Sequence, residues 1–261
     1  MNPEDQPPFL KFLEAGLGRG GFETDDALAA LVPLMKQVRT AHEAGLVAPL
    51  DGLKDLSLTE TGHLMFLPSK VSGPRKNNSK VEALQKIWSG AVEVVAESRR
   101  TADIDQASLK ISDLGIATSG DAITKPVFLP NYRSWEHVIG HHDELTDIFS
   151  LGLLLASVTC GLDFTDAADL EVLSTSRSNL FEVNRRLNPV LASVLVQMTE
   201  LNRHKRAPNL AQIVSRLENY REQSLDFDAA VFSRQEFKNS PLSGKRRLIQ
   251  SLLRDRLFEI S

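Results

Sequence analysis

"DELTDIFSLGLLLASVTCG", residues 143–161, carries Ile148, Phe149, Leu151, Leu153, Leu154, Leu155 and Val158 with almost no polar stripe. A helix that is apolar on every side has to be buried on every side. The stretch is therefore expected to be the central strut of a helical domain. Here and elsewhere the chain lacks the roughly 18 uncharged apolar residues in a row that a membrane span needs.

Three amphipathic helices are expected after the strut. One follows Thr165, one opens on Asn188 and Pro189 as N-cap and first helical residue, and one follows Pro208 and Asn209. A linker near Ser224 then leads to "GKRRLIQSLLRDRLFEIS", which places Leu248, Ile249, Leu252, Leu253 and Leu257 on one face.

On the N-terminal side, "PPFLKFLEAG" predicts a turn or two of helix and "GLGRGG" (16–21) a flexible linker. Thr24 is expected to cap a helix with Asp25 and Asp26 in its first turn and Leu28, Leu31, Val32, Met35 and Val38 on one face. Pro33 should kink or split it, and Gly45 should end it. "LSLTETGHLMFL" alternates around Thr61 and Gly62, a hairpin signature. Residues 69–80, "SKVSGPRKNNSK", are polar, basic and rich in breakers, and predict a disordered loop. The run "VEALQKIWSGAVEVVAES" predicts a further helix.

The 261 residues, 42% of them hydrophobic, suffice for a sizeable core. A single cysteine, Cys160, excludes an internal disulfide and a cysteine-built zinc site. With an acidic, proline-rich start unlike a signal peptide, the expectation is a cytoplasmic protein. A net charge of −4 argues against nucleic-acid binding through bulk electrostatics.

From about residue 24 to 220 the order of elements resembles the C-terminal lobe of a protein kinase. "YRSWEH" stands where kinases close the activation loop with Ala-Pro-Glu, Glu136 being the glutamate. "LTDIFSLGLLL" is similar to the central kinase helix, with Asp147 as its N-terminal aspartate and Gly152 as its glycine. "LNRHKRAPNLAQIV" resembles the segment before the last helix, with Arg206 as the arginine that pairs with the glutamate. The resemblance implies structural roles for all three: a buried Glu136–Arg206 ion pair, and an Asp147 that caps the strut and accepts backbone N–H groups from the loop above.

The same resemblance aligns "AHEAGLVAPLDGLKDLSLTETG" (41–62) with the kinase catalytic loop, His42 and Gly45 falling on a kinase histidine and glycine. The His-Arg-Asp triplet becomes Ala48, Pro49 and Leu50. Phosphoryl transfer needs a carboxylate there to orient the acceptor hydroxyl, and leucine supplies none. The magnesium-binding asparagine becomes Asp55, still able to bind a cation. "LKISDLGIAT" resembles the Asp-Phe-Gly neighbourhood through Asp113, Leu114 and Gly115, which makes residues 69–105 an insertion containing a helix. A straight count instead lands on Pro68, Ser69 and Lys70. The residues before Thr24 are too few for the roughly 40 of a five-stranded upper lobe. No strand flanks "GLGRGG", so it is not read as a phosphate loop.

The expected organisation is an N-terminal extension (1–23), a mainly α, kinase C-lobe-like domain with short β-hairpins and no upper lobe (24–222), and a linker with a C-terminal helix (223–261). The chain runs out inside a helical pattern, as a piece of a longer polypeptide would. That tail and "GHHDELTDIFSLGLLLASVTCGLDFTD" look similar to the kinase-like N-terminal regions of large bacterial superfamily-one helicases.

Other groups have sharp and bland readings. His137, His141, His142, Asp143 and Glu144 are ligand-capable, but neighbours on one loop seldom converge on one ion, so loop contacts and capping are expected and no metal site. Cys160 is expected to be a small buried hydrophobe. Trp135 reads as a packing anchor or, if exposed, a contact residue. Lys245, Arg246 and Arg247, with Arg254 and Arg256, suit an amphipathic helix docking on a further domain rather than a nucleic-acid contact. Arg75, Lys76 and Lys80 read as a solvated linker.

The functional expectation is a catalytically inactive kinase-like module that regulates or contacts a protein partner or a downstream domain of its own polypeptide, without cofactor or membrane. Two alternatives stand beside it. One is a nucleotide and magnesium switch using Asp55 and Asp113; the other is a phosphotransferase completed by another domain.

Overall fold

The computed structural model describes residues 6–17, 19–87 and 123–222. The chain divides into two units after Glu222, and all the described residues belong to the first. The described fold is mainly helical, with one small antiparallel sheet. Its elements are α1 (Pro8–Leu17), α2 (Thr24–Glu43), β1 (Leu56–Leu58), β2 (Leu64–Phe66), helix α3 over residues 78–87, α4 (Trp135–Val138), α5 (Glu144–Cys160), α6 (Ala167–Ser176), α7 (Pro189–Met198) and α8 (Leu210–Glu218). No described helix is long and apolar enough to cross a membrane.

Helix α5 is the strut. Every residue from Thr146 to Cys160 is buried, and α2 and α7 pack against it. Asp143, not Asp147, is its N-cap, in a reciprocal box with Thr146, and Gly161 ends it in a left-handed conformation at φ 66°. A Cβ on Gly152 would stand 2.7 Å from the Met198 Cβ, so this glycine lets α7 approach closely. Asn188 and Asn209 cap α7 and α8 through their side chains, as their positions before apolar runs imply.

Three local expectations at the N-terminal end are overturned. First, α1 runs for 10 residues, longer than the turn or two expected, and packs on the core. The Phe9 and Leu13 side chains of α1 are fully buried, and Phe9 meets Tyr132 edge-on at 5.2 Å. The described residues of "GLGRGG" are held rather than loose, with Gly21 N–H on the Gly16 carbonyl and, just beyond, Phe22 N–H on the Val158 carbonyl. Gly21, at φ 104°, lies so close to the Thr159 carbonyl that a Cβ would clash with it.

Second, the N-cap of α2 is Glu23, and Thr24 is already helical. Third, α2 runs unbroken through Pro33. Proline deprives the carbonyl four residues earlier of its donor. That carbonyl belongs to Ala29, and the His63 ring supplies the missing N–H at 2.8 Å. At the other end of α2, Gly45 adopts φ 70° and closes a Schellman motif, Leu46 N–H reaching the Ala41 carbonyl and Gly45 N–H that of His42.

The hairpin pairs Leu56 with Phe66 and Leu58 with Leu64, and puts Leu56, Leu64 and Phe66 in the core. The Gln37 side chain extends its edge, donating to the Phe66 carbonyl at 2.6 Å and accepting its N–H at 3.0 Å.

The basic loop expected to be disordered is held in place. Val47 and Ser72 form an antiparallel bridge, Arg75 and His142 another. Its composition misleads because exposed, polar side chains say nothing of backbone partners supplied by distant segments. Of the insertion reading (69–105), only residues 69–87 are described, and α3 with buried Val81 and Gln85 is its helical part.

Candidate functional site

The segment between the end of α2 and β1 holds the residues that align with a catalytic loop. Asp147, fully buried in the first turn of α5, organises it. One carboxylate oxygen accepts Ala48 N–H at 2.8 Å and the His42 Nε2–H at 2.9 Å; the other accepts the His142 Nε2–H at 2.7 Å. A buried carboxylate needs such donors. Asp147 therefore fastens the loop to the strut from one turn inside the helix, while Asp143 does the capping.

This anchoring turns Leu50 inward, and only 1% of it is exposed. The next residue, Asp51, faces out but is engaged: Arg133 Nε donates to it at 2.7 Å. Burial pushes the Asp51 carboxyl up, yet nearby His137, Arg133 and Lys54 together hold it below its ordinary range. Asn131 and Tyr132 both have positive φ, 64° and 60°, the geometry of a type I′ turn. Tyr132 is held there by its hydroxyl, which meets Ser157 at 2.8 Å and accepts Phe164 N–H at 3.2 Å. The turn backs onto Gly52, whose Cβ would lie 3.4 Å from the Asn131 carbonyl.

Under Asp51 lies the His137 ring. Its Nδ1 accepts Ser134 N–H at 3.1 Å, so that nitrogen carries no proton. Burial pushes this histidine down to about 4, against the pull of Asp51. His137 packs edge-on against His142 with ring centres 4.7 Å apart. His141 Nδ1 accepts Asn77 N–H at 2.8 Å while its Nε2 donates to Asp143 at 3.0 Å. Each histidine of the dense cluster thus has a protein partner, while the buried His137 Nε2–H meets no acceptor among the described residues. Among the described residues no group of three His, Cys, Asp or Glu side chains could hold a metal ion.

A second buried centre lies behind α4. Glu136 Oε1 accepts from Arg206 Nη1 at 2.7 Å and from Arg203 Nη1 at 2.9 Å, and Arg203 reaches on to Asp143 at 2.5 Å. The Arg206 guanidinium also lies over the Phe149 ring, 4.6 Å from its centre, and donates to the Leu145 carbonyl. Burial raises the Asp143 carboxyl, but the hydrogen bond from His141 and the charge of Arg203 outweigh it and hold the group well below the carboxylate range. The network has two cations and two carboxylates, and it ties α4, α5 and the 199–206 loop together.

Of the residues singled out from sequence, the structure brings Glu136 and Arg206 together and sets Asp147 against the loop. Asp55 lies 3.5 Å from the half-exposed Lys70. Trp135 is fully buried, which removes it as a contact residue. Cys160 is buried at the end of α5, its thiol pushed up to about 11 by desolvation, as befits a small packing residue. Asp113, Lys245, Arg246, Arg247, Arg254 and Arg256 lie outside the described residues.

Sequence reasoning missed Arg203, the Asp51–Arg133 pair and the donors His42 and His142 on Asp147. The first had a signal, since Arg203 and Arg206 are three residues apart. The Asp51–Arg133 and His42–Asp147 pairs are remote in sequence, and His142, only five residues before Asp147, reads as part of a histidine cluster rather than as its donor. No known protein family model matches the chain, and no curated protein is significantly similar to it.

Proposed function

We propose that this chain is a catalytically inactive kinase-like module, a C-lobe without transfer chemistry, that serves as a regulatory or protein-interaction domain. One observation carries the reading. At the position where a phosphotransferase needs a carboxylate, Leu50 is buried, held inward by the Ala48–Asp147 hydrogen bond. The neighbouring Asp51 is no replacement, because Arg133 occupies its carboxylate and depresses its basicity. The fastening residues are complete by contrast: Glu136 with Arg206, and Asp147 with the loop. A scaffold preserved around an empty chemical position suits binding better than catalysis. On the resemblance to helicase-associated regions, the regulated partner is a downstream segment of the same polypeptide or a separate protein.

The reading is tested by incubating the chain with labelled ATP, magnesium and generic protein acceptors, and by thermal unfolding with and without ATP and magnesium. No transfer and no shift in Tm are expected. Leu50→Asp should gain no transfer and lose stability, because it buries a carboxylate without donors. Ligand at about a hundredfold excess over Kd stabilises by about 2.7 kcal/mol, a shift of roughly 5–11 °C for a domain of this size. Such a shift, abolished by Asp55→Ala, would replace this reading with a nucleotide switch; transfer would replace it with an enzyme.

A further inference from the structure

The segment that crosses from β2 to α3 combines three features. It is fastened through its backbone, with Val47 and Ser72 exchanging N–H···O bonds at 2.8 and 3.2 Å, and Arg75 and His142 at 2.8 and 2.7 Å. Asn77 adds a side-chain bond to the Ile139 carbonyl at 2.9 Å. Most of these contacts use main-chain groups, and the side chains of Lys76 and Lys80 remain exposed. The second feature is charge. Residues 68–87 carry Lys70, Arg75, Lys76, Lys80 and Lys86 against one acid, Glu82, on a chain whose net charge is −4. Lys76, Lys80 and Lys86 are exposed and, among the described residues, have no carboxylate partner.

The third feature is apolar exposure. Of four large hydrophobic side chains exposed among the described residues, three border this strap: Leu67 at its start (60% exposed), Ile87 on α3 (59%) and Val138 (45%), next to the Ile139 that Asn77 holds. Unpaired cations are kept in solution by hydration alone, and single exposed apolar groups are ordinary. What sets these groups apart is that they lie along or beside one strap whose backbone is fixed at Ser72 and Arg75; apolar anchors within a charged rim are the composition of a contact surface.

We infer that residues 67–87, with Val138, form a docking ridge for an acidic protein segment bearing apolar side chains. The cations fit carboxylates and Leu67, Val138 and Ile87 fit the apolar groups between them. A nucleic acid fits less well, because it offers no apolar side chains to these anchors. The inference rests on the reading of the chain as an interaction module and names the chemistry of its partner.

The test is fluorescence anisotropy with a labelled peptide alternating Glu and Leu, beside an all-Glu peptide and a single-stranded DNA of similar charge. Saturable binding of the Glu/Leu peptide that weakens with salt is expected, with weaker binding of the other two probes. The triple variant K76E/K80E/K86E should lose affinity by roughly tenfold or more while keeping its Tm, since only exposed charges change. Leu67→Ser with Val138→Ser should weaken the Glu/Leu peptide and leave the all-Glu peptide unchanged. No saturable binding, binding indifferent to the triple variant, or tighter binding of DNA would each overturn the ridge. Phosphoryl transfer by a chain that still binds the peptide would refute the inactive reading and leave the ridge standing.

Discussion

Glu136→Gln keeps the shape of a fully buried side chain and removes its charge. Wild-type Glu136 accepts charge-assisted bonds from Arg206 at 2.7 Å and Arg203 at 2.9 Å. Arg203 retains Asp143 when that charge is lost. Arg206 does not fare as well: its remaining contacts are the Leu145 and Glu200 carbonyls and the Phe149 ring, none of them an anion. Burial already disfavours the charged form of Arg206, Glu136 being the first influence that opposes it.

Breaking a buried pair from one side costs about 3–5 kcal/mol. A domain is stable by only about 5–15 kcal/mol, so the variant should lose a large part of its stability, roughly 6–20 °C in Tm at this size. Urea unfolding at neutral pH measures it, and Glu136→Met with Arg206→Met supplies the control. Removing both charges should recover part of the loss, because no lone buried ion remains. A Glu136→Gln variant within about 1 kcal/mol of wild type would show that the network is not what ties α4 to the helical base.

Two further outcomes follow from particular contacts. His137 is held neutral in the fold with its pKa pushed down to about 4, so between about pH 6.5 and 4 the unfolded chain binds the extra proton and the folded one does not. Stability should be full above pH 6.5 and fall by about 3 kcal/mol towards pH 4, and His137→Gln should flatten that limb in urea titrations across the range. Gly152→Ala gains about 1 kcal/mol of helix propensity but brings a Cβ to 2.7 Å from Met198; overpacking should win, with a net loss of about 1–2 kcal/mol in the same assay.

The helical strut, the hairpin, the cap at Asn188, the helix after Asn209 and the end of α2 at Gly45 were legible because each depends on residues within a few positions of one another. Periodicity and capping are local, and they decide local conformation. The failures share one cause. Pro33 should break α2 by every local rule, and does not because His63, thirty residues away, supplies the missing donor. The 69–80 segment has a disordered composition, and its order comes from Val47 and His142.

The candidate site divides along the same line. That position 50 is a leucine, that Glu136 and Arg206 have opposite charges, and that the chain has one cysteine are properties of the sequence itself. That Leu50 points inward, that Asp51 is spent on Arg133, that Asp147 takes three donors from three separate segments, and that Trp135 is buried were decided by the tertiary structure alone. A side chain's chemistry comes with its residue type. Its protonation, exposure and partners depend on what the rest of the fold brings within about 3 Å, the reach of a hydrogen bond.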